Sequence, residues 1–491
     1  MQLTQLLAAL RVKRIVGNAE LEITGFAIDS RQVRPGNIYV VLTEPELQDR
    51  TQFIGAAIEA GAVAVLLNEE RTDIPAHITQ VIVPETQIAS AYLAARFYDH
   101  PAEELALIGI TGTKGKTTTS YLVRHILEKN GVATGIIGTT GAVYGDYVEK
   151  GNTTPHAVKL QRILRQMANL GCQAVSMEVS SHALRLHRVA GLAFNTAVFT
   201  NIGSDHMNFH AGMADYVQAK SLLLGKVTNG VCVLNADDRH FARMLLSVGA
   251  EWLTYGLEED ASLQAVDIAH AADGTYFRLI SPYGEYTVNT RLVGLFNVYN
   301  SLAAIGAALG MGISPEAAIS AIADFEGVSG RMESIDTNEL GFGVYVDYAH
   351  TPESMENVLQ TLAAARPPRL ITVFGAGGDR DRAKRPRMAV VAARYSTHTI
   401  VTSDNPRTEN PQQILADIIQ GFAEVGVNES RYSVIADRKE AIWQAIDMAR
   451  AGDMVIILGK GDETYQEINH VRYPFDDREV ARQALRQRRQ C

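Results

Sequence analysis

Short apolar runs, separated by segments of helical periodicity, recur along the whole chain and predict alternating strands and helices. In residues 1–101, Ile38-Tyr39-Val40-Val41-Leu42 and Ala62-Val63-Ala64-Val65-Leu66-Leu67 read as strands, with a helix around Phe53-Ile54 and Ala56-Ala57-Ile58 between them. Asp99-His100-Pro101 breaks the next helix and marks a linker. Residues 102–329 carry strands at 173–177, 196–199 and 230–234, in an order that predicts a parallel sheet covered by helices. The stretch 250–293 looks antiparallel, turning at Ser281-Pro282-Tyr283-Gly284, and an Ala-rich helix follows around 299–309. Residues 330–491 form a third region, with strands at 343–346, 370–374, 399–402 and 454–458. The fold class expected is α/β in three domains, a small N-terminal unit, a central parallel sheet and a C-terminal parallel sheet.

One junction in this alternation has a task of its own. Gly109-Ile110-Thr111-Gly112-Thr113-Lys114-Gly115-Lys116-Thr117-Thr118-Thr119 follows the apolar run 105–108 and leads into a helical pattern from Tyr121 to Leu127. Strand, glycine loop and helix in that order make a phosphate cradle, because backbone N–H groups and the helix N-terminus converge on an anion. Residues 112–118, that is Gly112, Thr113, Lys114, Gly115, Lys116, Thr117 and Thr118, would hold the phosphates of a nucleoside triphosphate, with Lys116 on the outer phosphates and the Thr117 hydroxyl on Mg²⁺. Ile110 stands where the general pattern has glycine, so this is a shortened variant; a chance Gly-Lys-Thr turn is the competing reading. The central domain is therefore expected to be a P-loop ATPase domain.

Composition narrows the partners. With 46% hydrophobic and 20% charged residues the chain is an ordinary globular protein, and its net charge of −10 argues against a general nucleic-acid or membrane-surface binder. Cys172, Cys232 and Cys491 are far apart and fit no zinc spacing; a reducing cytoplasm suits them. The N-terminus lacks the basic-then-apolar pattern of a signal peptide, and no apolar run is long enough to span a bilayer.

Polar clusters sit where strands end. Glu178 closes one apolar strand and could hold Mg²⁺, or be a solvated carboxylate. His206, in Asn201-Ile202-Gly203-Ser204-Asp205-His206, could ligate a cation or be structural. Lys220 lies on a helix, where an ordinary surface lysine is the default. Arg331, Asp347 and His350 open the third region, and an arginine there could offset transition-state charge or form a surface ion pair. Gly377 to Arg387 is the densest cationic stretch, either an anion site or a solvated loop. Ser403-Asp404-Asn405-Pro406-Arg407 suits a zwitterion, with Arg for a carboxylate and Asp and Asn for an ammonium; a plain Asn-Pro turn is the alternative. Glu463 could add an acceptor. These groups follow the carboxyl ends of strands, where open α/β sheets bind ligands, and the third domain reads as Rossmann-like.

Taken together and in order, these landmarks resemble the Mur ligase family. They include Asp29-Ser30-Arg31, the shortened phosphate loop, Asn152-Thr153-Thr154-Pro155, Glu178-Val179-Ser180-Ser181-His182, Asp205-His206, Tyr216 to Lys220, Gly294 to Asn300, Gly330-Arg331-Met332-Glu333 and Asp347 to Pro352. Glu-Val-Ser-Ser-His and Asp-Asn-Pro-Arg are similar to the member that adds meso-diaminopimelate as third amino acid. The resemblance implies an ATP-dependent ligase joining that amino acid to the γ-carboxylate of D-Glu in UDP-N-acetylmuramoyl-L-Ala-D-Glu through an acyl phosphate, as a cytoplasmic monomer. It implies that Lys116 and Thr117 hold phosphate and Mg²⁺, that Glu178 and His206 ligate cations, and that Lys220 is carbamylated and anionic. Asn297, Asn300, Arg331, Asp347 and His350 would border ATP. Ser30, Thr153, Thr154, Ser181 and Arg188 would contact the UDP-dipeptide, and Arg380, Asp404, Asn405, Arg407, Gly459 and Glu463 the diaminopimelate. Three positions depart from the family's pattern: Asp462 replaces a usual His, Ser204 a frequent Arg, and the segment 43–50 lacks the usual glycines. Ligation of L-lysine, or a folylpolyglutamate synthetase-like reaction, is the alternative; a nucleotide switch without ligation has no use for the zwitterion turn.

Overall fold

In the computed structural model the apolar runs become the strands of three main sheets. The structure describes residues 1–8, 10–42, 49–203, 209–258, 260–271, 274–337 and 340–489. The first sheet holds β1 (Arg14–Val16), β2 (Gly25–Ala27), β3 (Asn37–Val40), β4 (Ala62–Leu67) and β5 (Thr79–Ile82), in the order β1-β5-β4-β3-β2. Successive side chains of β3 face opposite ways. Ile38 and Val40 join a core with Leu3, Leu6 and Leu93, while Tyr39 and Val41 join another with Ile54 and Ala57. Burial on both faces is why these strands are apolar without alternation.

The second sheet holds β6 (Ala106–Thr111), β7 (Thr134–Gly138), β8 (Gly141–Tyr144), β9 (Tyr147–Glu149), β10 (Ala174–Glu178), β11 (Phe194–Phe199), β12 (Val227–Asn235), β13 (Glu251–Gly256), β14 (Leu263–Ala271), β15 (Gly274–Ser281) and β16 (Gly284–Thr290). Its order is β16-β15-β14-β13-β12-β11-β6-β10-β7-β8-β9. β6 lies between β11 and β10 and is parallel to both. Carboxyl ends of β6, β7, β10 and β11 therefore share one edge.

The expectation for 250–293 needs correction at its start. β13 pairs parallel with β12, Trp252 facing Cys232, and continues the parallel sheet. Its first two residues are exposed, which gives the mixed polarity of a half-buried antiparallel strand. The turn at Ser281–Gly284 does form: only Pro282 and Tyr283 separate β15 from β16, a connection that only a hairpin allows.

The third sheet holds β17 (Glu333–Ile335), β18 (Gly343–Asp347), β19 (Leu370–Phe374), β20 (His398–Val401), β21 (Tyr432–Val434) and β22 (Met454–Leu458), in the order β17-β18-β22-β19-β20-β21. All its pairings are parallel except β17 with β18. Phe374, Ile456 and Leu458 pack on the helices Lys384–Tyr395 and Pro411–Glu424, while Val373, Val455 and Ile457 pack on Arg438–Met448 and Asp477–Arg488. A hairpin, β23 (Tyr465–Ile468) with β24 (Val471–Pro474), follows.

By contacts the chain divides into two compact units. One is Met1–Val266 with Arg278–Val288 and Tyr299–Ala323; the other is Asp267–Phe277 with Asn289–Val298 and Asp324–Cys491. The first sheet and the strands β6 to β13 belong to the first unit, and the third sheet to the second. Among the described residues no helix is long and apolar enough to cross a membrane, and Cys172 and Cys232 are buried free thiols.

Candidate active site

β6 runs buried into the loop Gly112 to Gly115, and the helix Lys116–Lys129 begins directly after it. Gly115 caps that helix in the left-handed region, with φ of 83°. A Cβ there would lie 2.5 Å from Asn300 Oδ1, so glycine alone lets the chain turn at this point. Asn300 also accepts from Thr119 Oγ1 at 3.4 Å. Lys116 Nζ donates to the carbonyls of Gly112 and Thr113, each at 3.0 Å. Thr118 lies half-buried in the first turn of the helix.

The loop is held from outside by the residues after β11. Asn201 accepts from Lys114 N at 3.0 Å and donates to Lys114 O at 3.1 Å, and Thr200 Oγ1 donates to the same carbonyl at 2.6 Å. Thr113 Oγ1 meets Tyr216 OH at 3.0 Å. Lys220, 2% exposed, donates from Nζ to Gly112 O at 2.7 Å and lies over the Tyr216 ring. Lys220 is thus no surface lysine but a buried one aimed at the phosphate loop.

Glu178 ends β10 beside Ile110 of β6. Its carboxylate accepts from Thr117 Oγ1 at 3.0 Å, from Thr139 N at 2.9 Å and from Thr139 Oγ1 at 3.2 Å. A Cβ on Gly138 would collide with this carboxylate. A hydroxyl and a carboxylate side by side at the start of a phosphate-binding helix are the hard oxygen donors that suit Mg²⁺. Among the described residues no three His, Cys, Asp or Glu side chains cluster closely enough to hold a metal by themselves, so the fit to Mg²⁺ depends on hydroxyl and phosphate oxygens as well. His206, like Ser204 and Asp205, lies outside the described residues, as does the segment 43–48.

Beyond Glu178 the same unit gathers the residues expected on the UDP-dipeptide. Thr153 Oγ1 is 3.3 Å from Thr139 Oγ1. Thr154 Oγ1 donates to Glu178 O at 2.9 Å and accepts from Ser180 N at 3.1 Å, while Arg188 donates to Thr154 O at 3.3 Å. Ser181 Oγ meets His210 Nε2 at 3.0 Å, and His210 Nδ1 meets Asp215 at 3.1 Å. A pocket lined by Ile28, Leu42, His156 and Arg188 adjoins them. Burial, and then the charges of Arg188 and Arg50, push the His156 imidazole down to about 4. Ser30 starts a short 3-10 turn just after Ile28, capped by Asp29.

The second unit carries the other group. Asp347, 8% exposed, accepts from Met332 N and Ala349 N, both at 2.7 Å, and so fixes the chain directly after Arg331 and Tyr348. The Arg331 guanidinium lies 4.3 Å over the Tyr348 ring, and the His350 ring packs on the same tyrosine. Gly330, with φ of 68°, touches the backbone of Gly461 and Asp462 so closely that no Cβ fits. Asn297, at the start of the helix Leu295–Gly310, donates to Val293 O at 2.9 Å.

Asp404, Asn405 and Glu463 come together. Asn405 Nδ2 donates to Glu463 Oε2 at 2.8 Å, and Asn405 Oδ1 accepts from Lys460 Nζ at 3.2 Å and Glu467 N at 2.9 Å. Both lone-pair positions of the Asn405 amide oxygen are taken, so Asn405 ties Lys460 and Glu467 together rather than accepting from an ammonium. Asp404 Oδ2 lies where a Cβ on Gly459 would need to be. Arg407 adopts φ of 50° and donates to Gly378 O at 2.7 Å. In the cationic stretch Arg385 is fully buried between Glu409 and Asp417, Arg382 also pairs with Asp417, and Arg387 with Glu353. Most of that stretch is thus structural. Arg380 is exposed and has no acidic partner among the described residues.

Several contributors escaped the sequence reading. Lys460 is fully buried and binds Asn405 and Glu463, although it sits inside the Gly459-to-Glu463 run that drew attention. Arg438 and Asp477 form an ion pair with neither side chain exposed. Arg438 also donates to Leu458 O at 2.9 Å and Ser403 O at 3.2 Å, tying down the end of β22 and the chain just after β20. No local signal marks it. Arg50 and His156 had only their nearness to expected contacts.

Residues 110–308 match the family described as Mur ligase middle domain, and 330–461 match the Mur ligase, glutamate ligase domain. A relative from Syntrophomonas wolfei subsp. wolfei, named UDP-N-acetylmuramoyl-L-alanyl-D-glutamate--2,6-diaminopimelate ligase, is 43% identical over 99% of both chains. The chain belongs to the Mur ligase family. A relative of the same name from Listeria monocytogenes is 42% identical over 99% of both chains. A solved structure of that title covers 100% of this chain and 99% of its own, at 34% identity and a TM-score of 0.74. A folylpolyglutamate synthase of Mycobacterium tuberculosis complexed with ADP shares the Mur ligase fold over 76% of this chain, with a TM-score of 0.63 at 17% identity.

Proposed function

We propose that this chain ligates meso-2,6-diaminopimelate to the D-Glu γ-carboxylate of UDP-N-acetylmuramoyl-L-Ala-D-Glu at the expense of ATP, in peptidoglycan precursor synthesis. The observation that carries this reading is the likeness over 99% of both chains to relatives named for that reaction. A carboxylate is a poor electrophile until one of its oxygens becomes a phosphate leaving group. Phosphoryl transfer from ATP gives the acyl phosphate, the amine of diaminopimelate attacks its carbonyl carbon, and phosphate departs as the amide forms. Holding three substrates together supplies much of the acceleration.

Each cluster then has a proposed part. Lys116 and the N–H groups of the loop would bind phosphate, and Thr117 and Glu178 would hold Mg²⁺, which supplies charge neutralisation at the phosphates. His206 is proposed as a further cation ligand. Lys220 would react with CO₂ to form a carbamate, becoming an anionic ligand; its burial beside Gly112 O supports this reading. Lys220→Ala is expected to lose activity and regain part of it with added small carboxylates; full activity without rescue would refute the role.

Ser30, Thr153, Thr154, Ser181 and Arg188 would meet the UDP-dipeptide, with Arg50 lending charge. Arg331, Asp347, His350, Asn297 and Asn300 keep their proposed places around ATP. Arg380 and Arg407 would take the two carboxylates of diaminopimelate, and Asp404 and Glu463 its ammonium groups, with Gly459 giving Asp404 room. We propose three domains with limits at 101 and 329, a cytoplasmic setting and a monomer.

Phosphate release with an amino-acid panel tests the function. Release should require both the UDP-dipeptide and meso-diaminopimelate, with L-lysine lower in kcat/KM by about 1,000-fold, since it leaves a built carboxylate site unpaired. Equal use of L-lysine, or a requirement for a folate in place of the UDP-dipeptide, would overturn it.

A further inference from the structure

A second cavity in the first unit, of about 330 Å³, is lined by Leu184, His187, Val189, Leu222 and Lys226, among others. It is separate from the phosphate loop. Lys226 stands at the amino-terminal start of β12, whereas the loop follows the carboxyl end of β6, and β12 is parallel to β11, which is parallel to β6. The walls come from the helix Ser181–Arg185 and the chain after it, from the end of the helix Met213–Ser221 and from the residues that follow it to Lys226, with Ser247.

Its lining is apolar apart from two basic side chains and two serines, Ser221 and Ser247. The Lys226 side chain makes no hydrogen bond or ion pair among the described residues, and burial lowers the proton affinity of its ammonium. Among the described residues no carboxylate pairs with it. His187, held at φ of 54°, is also drawn down by burial, and its nearest acid is Glu85 at 3.9 Å. The charge of Lys226 in turn disfavours protonation of His187, so the imidazole stays neutral and Lys226 is the cation of the pair. A half-buried ammonium with no counter-ion is costly, and such groups are ordinarily paired. Here an apolar cavity of ligand size opens beside it.

We infer that this cavity binds a small organic anion, its carboxylate or phosphate on Lys226 and its compact apolar body against Leu184, Val189 and Leu222. The charge complement selects an anion, and the apolar wall selects against inorganic ions. Leu222 lies two residues past Lys220, and His187 also lines the pocket that contains Arg188. An occupant would therefore bear on segments next to both groups of residues named above, without touching either group.

The test is binding to the full chain by calorimetry, with hexanoate, phenyl phosphate and inorganic phosphate as probes, in the protein and in Lys226→Met. Methionine keeps the length and the apolar stem while removing the charge. Hexanoate or phenyl phosphate should bind saturably, and Lys226→Met should weaken that binding at least about tenfold, the loss expected for one charge-assisted contact. Phosphate release by the ligase reaction serves as a folding control for the variant, since Lys226 has no part in it. Equal binding to both proteins, saturable binding of inorganic phosphate alone, or no saturable binding of any probe would overturn the site. Which organic probe binds tighter tells a carboxylate ligand from a phosphate ester.

Discussion

Glu178 shows how much of the chemistry rests on single atoms. Its carboxylate is surrounded by Thr117, Thr139 and the bare backbone of Gly138. Gly138→Ala would push a methyl into the carboxylate and tilt it away from Thr117. We expect a 10- to 100-fold loss of turnover, roughly the effect of disturbing a group that orients metal ligands, with a raised Mg²⁺ requirement and little change in thermal stability. Unchanged Mg²⁺ dependence would dismiss the role. His156 makes a second prediction at this scale. Its folded-state imidazole titrates at about 4, below the ordinary value of 6.5. The unfolded chain therefore binds the proton first as pH falls. The contribution is fully present above about pH 6.5 and is lost as pH falls to about 4, amounting to roughly 3 kcal/mol. Denaturant midpoints across that range should show the slope, and His156→Gln should flatten it.

At the scale of elements, two helices begin with one buried ion pair. Arg438 opens one helix and Asp477 another, and the arginine spans to Ser403 O after β20 and Leu458 O at the end of β22. Asp404 and Gly459 follow the ends of these strands, so the pair positions the residues proposed to receive the amino acid. Arg438→Met should cost about 3–5 kcal/mol, because it leaves Asp477 buried and unpaired. Adding Asp477→Leu should restore most of that stability, while the KM for diaminopimelate stays raised, since two carbonyls still lack their donor. A normal KM in the double variant would reduce the pair to a core feature. Strands were legible in the sequence where the apolar run is continuous; β5 and β7 are as buried, but open on Thr79-Gln80 and Thr134-Gly135 and did not register. β6, β10, β19 and β22 are continuous apolar runs because both faces are covered, and the loops after them carry the chemistry. The strands β8 and β9, of four and three residues, were too short to register. β13 was misread because its exposed start imitates a different pairing. Arg438 and Lys460 were invisible as partners: each is an unremarkable cation until tertiary structure brings strand ends around it.

For the whole molecule, the phosphate loop and the turn from Asp404 to Arg407 are each held by contacts within one compact unit. The contacts of the phosphate loop and its helix with Asn201, Asn300 and Lys220 fall within the first compact unit. Among the described residues Arg407 bonds to Gly378, Glu467 and Asn469, all in the second unit. Nucleotide binding and amino-acid choice should therefore separate by mutation even though turnover needs both. Arg407→Ala is expected to lower kcat/KM for diaminopimelate by about 100-fold, the loss of a bidentate carboxylate contact, while the affinity for ATP with Mg²⁺ stays within a factor of two. Lys116→Ala should do the reverse at the binding level, removing ATP-dependent stabilisation against heat that the protein and Arg407→Ala both show. Chelation of Mg²⁺ should abolish that stabilisation in the protein and in Arg407→Ala alike. If Arg407→Ala weakened ATP binding as much as amino-acid use, the nucleotide site would depend on the second unit's amino-acid turn, and the independence inferred from the hydrogen bonds would fail.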